Sequence, residues 1–158
     1  MNKDEMYKEM NEQLRALCSV TDYPVSNLAN ASALLYETLP DLNWAGFYVV
    51  RSDGNLYLGP FQGKPACIVI PKGKGVCGTA YATGELQLVP NVHRFPGHIA
   101  CDSASNSEIV IPLIVSGTVW GVLDIDSPLL NRFDEADAEG LRESCEILIQ
   151  SCDWSRNV

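Results

Sequence analysis

Residues 107–127 read SEIVIPLIVSGTVWGVLDIDS, two apolar and β-branched runs on either side of a short polar turn. The runs predict two antiparallel strands over 108–115 and 119–126, joined tightly at 116–118. Because Glu108 and Asp126 are equally far from Gly117, we expect them to be close cross-strand neighbours. Asp124 shares the face of Asp126, since side chains alternate along a strand. The hairpin therefore predicts an antiparallel sheet with three carboxylates gathered at one end.

Two interpretations of this acidic cluster stay open. Three neighbouring carboxylates repel one another unless a cation, a metal ion or a shared proton offsets their charge. On that view the cluster belongs to a site. The alternative is an exposed sheet edge whose strands end in acidic residues.

The remaining elements are predicted from periodicity and turn signals. Apolar residues at helical spacing predict helices over about 3–20, 26–38 and 134–152, with Ser26 as the cap of the second. Strands are predicted over about 44–50, 55–61, 67–70 and 86–89, with a short helix over 76–83 and a long loop over 91–107. We therefore expect one α+β domain over 1–158, with helices packed on a central antiparallel sheet of about six strands.

Composition excludes several functional classes. The chain has 158 residues, 46% of them hydrophobic and 20% charged, with a net charge of −9. This acidity argues against sequence-independent binding of nucleic acid and against docking on anionic membranes. The amino terminus lacks the apolar core of a secretory signal, and no apolar run approaches the roughly 18 residues of a membrane span. We expect a cytoplasmic protein, in which structural disulfides are rare.

The six cysteines fall into two groups. Cys145 and Cys152 lie on the apolar stripe of the last predicted helix, and Cys18 lies beside that of the first. Free cysteine is among the residues most often buried, so these three are predicted to be core residues.

The other three cysteines, Cys67, Cys77 and Cys101, occur where loops and short elements are predicted. They form no CxxC pair and the chain has only two histidines, so neither a zinc site nor a thioredoxin-like pair fits. Cys67 could be a core residue at the start of a strand. Cys77 lies in the first turn of a predicted helix, where the dipole favours a thiolate, unless it is a small packing residue. Cys101 lies in the long loop only seven residues before Glu108, which places a nucleophile near the carboxylates.

Aromatic and imidazole side chains add further candidates. Trp44 and Tyr48 are four residues apart in one predicted strand, and so share a face. They are either core residues or the walls of an apolar pocket with polar handles. His93 and His98, in the long loop, could act as a base or a ligand, but loop histidines are more often solvated.

Three segments together resemble a known family. They are NWAGFY at 43–48, GKGVCG at 73–78 and GVLDIDS at 121–127, and in this order they resemble a GAF domain. More narrowly, the three loop cysteines combined with SEIVIP at 107–112 resemble the free methionine-(R)-sulfoxide reductases, which are stand-alone GAF enzymes. The resemblance covers nearly the whole chain.

The resemblance implies a function for each candidate residue. It implies that Cys101 attacks the sulfoxide sulfur, that Cys67 resolves the product as a disulfide, and that Cys77 can take part in disulfide exchange. Carboxylates and aromatic residues are implied to line the substrate site: Glu108, Asp124, Asp126, Trp44 and Tyr48. It further implies a homodimer that draws electrons from thioredoxin, without a bound cofactor or metal.

Overall fold

The computed structural model describes residues 1–99 and 101–156. Its elements are α1 (Lys3–Cys18), α2 (Pro24–Thr38), β1 (Trp44–Val50), β2 (Leu56–Gly63), β3 (Val69–Ile70), α3 (Gly75–Thr83), β4 (Gln87–Val89), a 3₁₀ turn (Val92–Arg94), β5 (Ser107–Val115), β6 (Thr118–Ser127) and α4 (Glu135–Ser151). The predicted order of helices and strands is confirmed.

The strands form a six-stranded sheet in the order β3-β2-β1-β6-β5-β4. Every neighbouring pair is antiparallel. The predicted hairpin supplies β5 and β6, and β1 pairs both with β2, its neighbour in sequence, and with the distant β6. The predicted α+β class and six-stranded antiparallel sheet are therefore confirmed.

The two faces of the sheet are covered differently. Helices α1, α2 and α4 pack on one face, where the buried stripe of α4 meets alternate residues of the central strands, among them Phe47, Ile109 and Ile125. The opposite face carries a smaller apolar cluster that includes residues of α3. A site can form on this second face because loops and one short helix cover it.

Three local predictions were wrong in detail. Helix α2 begins at Pro24, so Ser26 lies inside the helix and is not its cap. Proline favours the first helical position because its fixed φ suits a helix and its missing N–H is not needed there. Strand β3 contains only Val69 and Ile70, so Cys67 precedes the strand. Leu17, on the predicted stripe of α1, is exposed.

Among the described residues, no helix is long and apolar enough to cross a membrane.

Candidate active site

A β-bulge brings the carboxylates to one face of the sheet. Ser116 and Gly117 both adopt positive φ and form a two-residue turn that pairs Val115 with Thr118. The register then shifts by one residue at Trp120, and beyond this point Glu108 pairs with Asp126. Without the shift, Glu108 would lie opposite Ile125, a residue of the other face. The predicted pairing is confirmed, although it depends on a bulge that was not predicted.

The acidic cluster is buried rather than exposed. Glu108 and Asp124 are each only 6% exposed, and Asp126 is half-buried. Burial raises the pKa of Glu108 well above its ordinary value, and the charges of Asp124 and Asp126 raise it further. Burial also raises the pKa values of both aspartates, which interact closely with Glu108. The exposed-edge interpretation is therefore wrong, and the raised pKa of Glu108 favours a shared proton that would offset the repulsion.

Asp124 keeps one acceptor without a donor. Its Oδ1 atom is buried and, within the part of the chain that the structure describes, has no hydrogen-bond partner. Leaving a buried acceptor unpaired costs about 1–3 kcal/mol, and more for a charged group. Asp124 also lines the cavity on this face, so the oxygen is placed to accept from a molecule bound there.

The cavity lies between the sheet, α3 and the loop before β5. In this disulfide-bonded form it measures about 50 Å³. Its lining combines aromatic, thiol, imidazole and carboxylate groups: Trp44, Tyr48, Pro65, Ala66, Ile70, Lys74, Gly75, Val76, Cys77, His98, Ile99, Cys101, Asp102, Ser105, Glu108, Asp124 and Asp126. Of the eight predicted site residues, all except Cys67 line the cavity. The aromatic wall can accommodate apolar groups, and the carboxylate wall can accommodate cationic ones.

The aromatic residues are both core residues and pocket walls. Trp44 and Tyr48 are buried, with stacked rings 5.8 Å apart, and the Trp44 ring stacks on Phe61 at 5.2 Å. Gly46 makes room for this stack, since a Cβ there would lie 2.3 Å from the Cβ of Phe61.

Both aromatic residues also hold the loop that carries Cys67. The Tyr48 hydroxyl donates to the backbone oxygen of Cys67 at 2.9 Å, and the Trp44 indole N–H donates to that of Lys64 at 3.1 Å. The pocket wall and the position of Cys67 are thus coupled through two hydrogen bonds.

Cys67 and Cys101 are joined by a disulfide, with their Cα atoms 5.5 Å apart. Both residues are half-buried. The bridge spans 34 positions of sequence and ties the β2–β3 loop to the loop before β5. The pairing that the resemblance implied is therefore present in the structure. Cys18, Cys145 and Cys152 are free and buried, as predicted.

Of the two interpretations of Cys77, the structure favours the packing residue. It is a free, buried cysteine in the first turn of α3. Burial raises the pKa of its thiol well above the ordinary value, and the charges of Asp124 and Glu108 raise it further. Burial beside carboxylates therefore opposes the effect of the helix dipole and disfavours the thiolate.

Cys77, Glu108 and Asp124 are also the groups with potential metal-ligand geometry. Their ligand atoms all lie within 4.8 Å of one another. Burial raises the pKa of all three groups, which favours their protonated forms and lets them share protons.

Two residues outside the predicted set also belong to the site. His98 is half-buried, and its Nε2 atom lies 4.0 Å from Oε1 of Glu108. Burial lowers the pKa of His98 and so favours the neutral imidazole. Asn43 donates to Asp102 Oδ2 and to Ser105 Oγ, both at 3.0 Å, and so holds the turn that follows Cys101. The closeness of His98 to Cys101 in sequence was a usable signal, whereas nothing local marked Asn43. His93 is exposed, as predicted.

Comparisons with known proteins show which family the chain resembles in sequence and fold. The GAF domain model matches residues 13–151. The chain is 55% identical over 143 residues to free methionine-R-sulfoxide reductase of Escherichia coli (strain K12), covering 90% of this chain and 86% of that protein. It is 45% identical over 159 residues to the Saccharomyces cerevisiae protein of the same name, covering 96% and 88%. The structure of free methionine-R-sulfoxide reductase from Neisseria meningitidis in complex with its substrate is similar, with a TM-score of 0.94, 44% identity and coverage of 99% and 93%.

Proposed function

The chain belongs to the GAF family and, within it, to the free methionine-R-sulfoxide reductases, and we propose that it reduces free methionine-R-sulfoxide to methionine through a thiolate on Cys101. The observation that carries the proposal is the Cys67–Cys101 disulfide beside a cavity with buried carboxylates. A redox-active thiol pair and an acidic pocket are what this reaction needs.

In the first step the Cys101 thiolate attacks the sulfoxide sulfur. The oxygen passes to Cys101 as a sulfenic acid and methionine leaves. The protonated Glu108 supplies the proton that the oxygen needs, because its raised pKa keeps the acid form available. Glu108 is left as a carboxylate, to be reprotonated from solvent or through His98, which lies 4.0 Å away.

In the second step the Cys67 thiol attacks the sulfenic sulfur of Cys101. Water leaves and the disulfide seen in the structure forms. The dithiol of thioredoxin then reduces this bridge by exchange and is itself oxidised to a disulfide. For the buried Cys77 we propose only a secondary part in such exchange.

Selectivity for the free amino acid follows from the acidic wall. The unpartnered oxygen of Asp124, together with Asp126, is placed to accept hydrogen bonds from an α-ammonium group. A methionine inside a peptide lacks that ammonium. Trp44 and Tyr48 offer an apolar wall to the methylthio end of the same molecule.

The remaining attributes are proposed together. Electrons arrive through thiols, so the proposed reaction uses no bound cofactor or metal. We also propose that the protein is cytoplasmic, which its four free cysteines support, and that it is a homodimer, which the family resemblance implies.

Coupled turnover tests the proposed function. Thioredoxin, thioredoxin reductase and NADPH are mixed with the protein, and NADPH oxidation is followed after addition of free methionine-R-sulfoxide. We expect rapid oxidation with this substrate and slow oxidation with its N-acetyl derivative, which lacks the ammonium. Oxidation no faster than without the protein would refute the proposed activity, and equal kcat/KM values for the two substrates would refute the ammonium contact.

A further inference from the structure

The surface beside the disulfide has an unusual charge. The chain carries a net charge of −9, yet no Asp or Glu occurs between Asp53 and Glu85. The lysines of this segment, Lys64, Lys72 and Lys74, are all exposed. The segment that carries Cys67 is therefore cationic in an otherwise acidic protein, and the Lys72 ammonium lies over the Tyr81 ring of α3.

The same surface exposes apolar side chains. Ile68 is 68% exposed and Val69 is 42% exposed, and both follow Cys67 directly. Val69 belongs to β3, which is an edge strand with β2 on one side only. We call Lys64, Cys67, Ile68, Val69 and Lys72 the Cys67 face. An edge strand with exposed apolar residues and free backbone groups is a typical place for another chain to bind.

The Cys67 face adjoins the disulfide on both of its loops. Lys64 is close enough to Asp102 to help lower the pKa of that carboxyl, after the stronger effects of the Ala104 N–H and of Asn43. Asp102 follows Cys101 in sequence and is the acidic group next to the face. A partner that binds here therefore has its own reactive group within reach of the bridge.

We propose that the Cys67 face is the docking surface of the dithiol protein that reduces the Cys67–Cys101 bridge, and that this partner presents acidic and apolar groups around its nucleophilic thiol. The proposal rests on the proposed function, which requires such a reductant. Charge complementarity speeds the encounter, and the contact with Ile68 and Val69 excludes water from the exchanging sulfurs.

The face also determines which sulfur is attacked. Cys67 lies next to Ile68 on the face, whereas Cys101 lines the cavity and Cys67 does not. The partner's thiolate attacks Sγ of Cys67, the disulfide breaks, and Cys101 leaves as a thiolate in the substrate site. The second thiol of the partner then attacks the mixed disulfide and releases Cys67 as a thiol. The partner is oxidised by two electrons and this chain is reduced by two.

Variants of the face test the proposal without touching the cavity lining. The disulfide form of Ile68→Ser, of Lys72→Glu and of the double variant is reduced by thioredoxin or by dithiothreitol, and the rate of thiol appearance is measured. We expect the double variant to react with thioredoxin about tenfold more slowly or worse, as for the loss of electrostatic steering and an apolar contact. Reduction by the small, uncharged dithiothreitol should stay unchanged.

Matched controls lie elsewhere on the molecule. Lys8→Glu makes the same charge reversal on α1, which packs on the other face of the sheet, and Leu130→Ser makes the same apolar-to-polar change at a residue that is 53% exposed. Both should react at the wild-type rate. Equal thioredoxin rates for the double variant and the controls would overturn the docking surface.

Two further measurements separate the alternatives. Thioredoxin with its second active-site cysteine replaced by serine should form a stable mixed disulfide with Cys67, which peptide mapping of the complex can locate. A mixed disulfide on Cys101 instead would overturn the direction of attack. If Ile68→Ser turns a dimer into a monomer in sedimentation, the face is an interface between copies and the proposal fails. Turnover driven by dithiothreitol reports on the reductase activity itself, so a failed docking surface is distinguishable from a failed function.

Discussion

Replacing Tyr48 by phenylalanine should slow the closing of the disulfide more than the reduction of the substrate. The Tyr48 hydroxyl is buried in the central strand and donates to the backbone oxygen of Cys67 at 2.9 Å. Phenylalanine keeps the ring that lines the cavity and removes only this donor. The loop that carries Cys67 then loses one of the two aromatic hydrogen bonds that hold it near Cys101.

The size of the effect follows from the hydrogen bond. A fully buried acceptor that loses its donor costs about 1–3 kcal/mol, and Cys67 is only half-buried, so the lower end of that range applies to its oxygen. Every 1.4 kcal/mol is a factor of about ten in a rate or an equilibrium. The second bond, from Trp44 to Lys64, remains in place and keeps the loop partly held. We therefore expect the lower end of the range, a closing step about tenfold slower in Tyr48→Phe.

A single-turnover experiment measures the two steps separately. Reduced protein is mixed with free methionine-R-sulfoxide and quenched at intervals, and methionine, free thiols and trapped sulfenic acid are counted. In Tyr48→Phe, sulfenic acid should accumulate between methionine release and thiol loss. Tyr57→Phe is the matched control, since it removes a hydroxyl that donates to Asp53 in the exposed β1–β2 hairpin, away from Cys67. Closing at the wild-type rate, or equal slowing of release and closing, would refute the coupling.

Three more predictions concern the carboxylates and the aromatic stack. The raised pKa of Glu108 keeps a proton in the folded protein that the unfolded chain loses above about pH 4.3, so the free energy of unfolding should fall as pH rises towards that pKa. In urea titrations between pH 5 and pH 8, Glu108→Gln should make this pH dependence weaker. An unchanged dependence would contradict the buried proton. Asp124→Asn should raise KM for free methionine-R-sulfoxide about tenfold or more, because the contact between the Asp124 carboxylate and the α-ammonium of the substrate is lost. A KM within twofold of the wild-type value would exclude that contact. Gly46→Ala should lower the free energy of unfolding by about 1–3 kcal/mol, because the new Cβ would lie 2.3 Å from the Cβ of Phe61. A free energy from urea unfolding within about 0.5 kcal/mol of wild type would show that the aromatic stack adjusts without cost.

Local patterns predicted the fold well where one face of an element is buried. The stripe of α4 has a period that only a helix satisfies, whereas β5 and β6 are continuous apolar runs that were predicted from their β-branched residues and the turn between them. Counting outward from Gly117 also paired Glu108 with Asp126 correctly. The count succeeded because the bulge at Trp120 offsets the two-residue turn, and no local signal marks that bulge.

The candidate site was less accessible to such reasoning. The dipole at the start of α3 suggested a thiolate for Cys77, but the opposing burial depends on carboxylates that only the tertiary fold brings near it. His98 was interpreted as solvated for the same reason, since its contact with Glu108 crosses the cavity. The pairing of Cys67 with Cys101 came from the family resemblance, because two loops far apart in sequence carry no periodicity that relates them.

The assignment of Cys101 as nucleophile is tested most directly by counting methionine in a single turnover without added reductant. Reduced Cys67→Ser should release one methionine per chain and keep a sulfenic acid on Cys101, whereas reduced Cys101→Ser should release none. Stoichiometric methionine from Cys101→Ser, with none from Cys67→Ser, would contradict the proposed roles of the two cysteines.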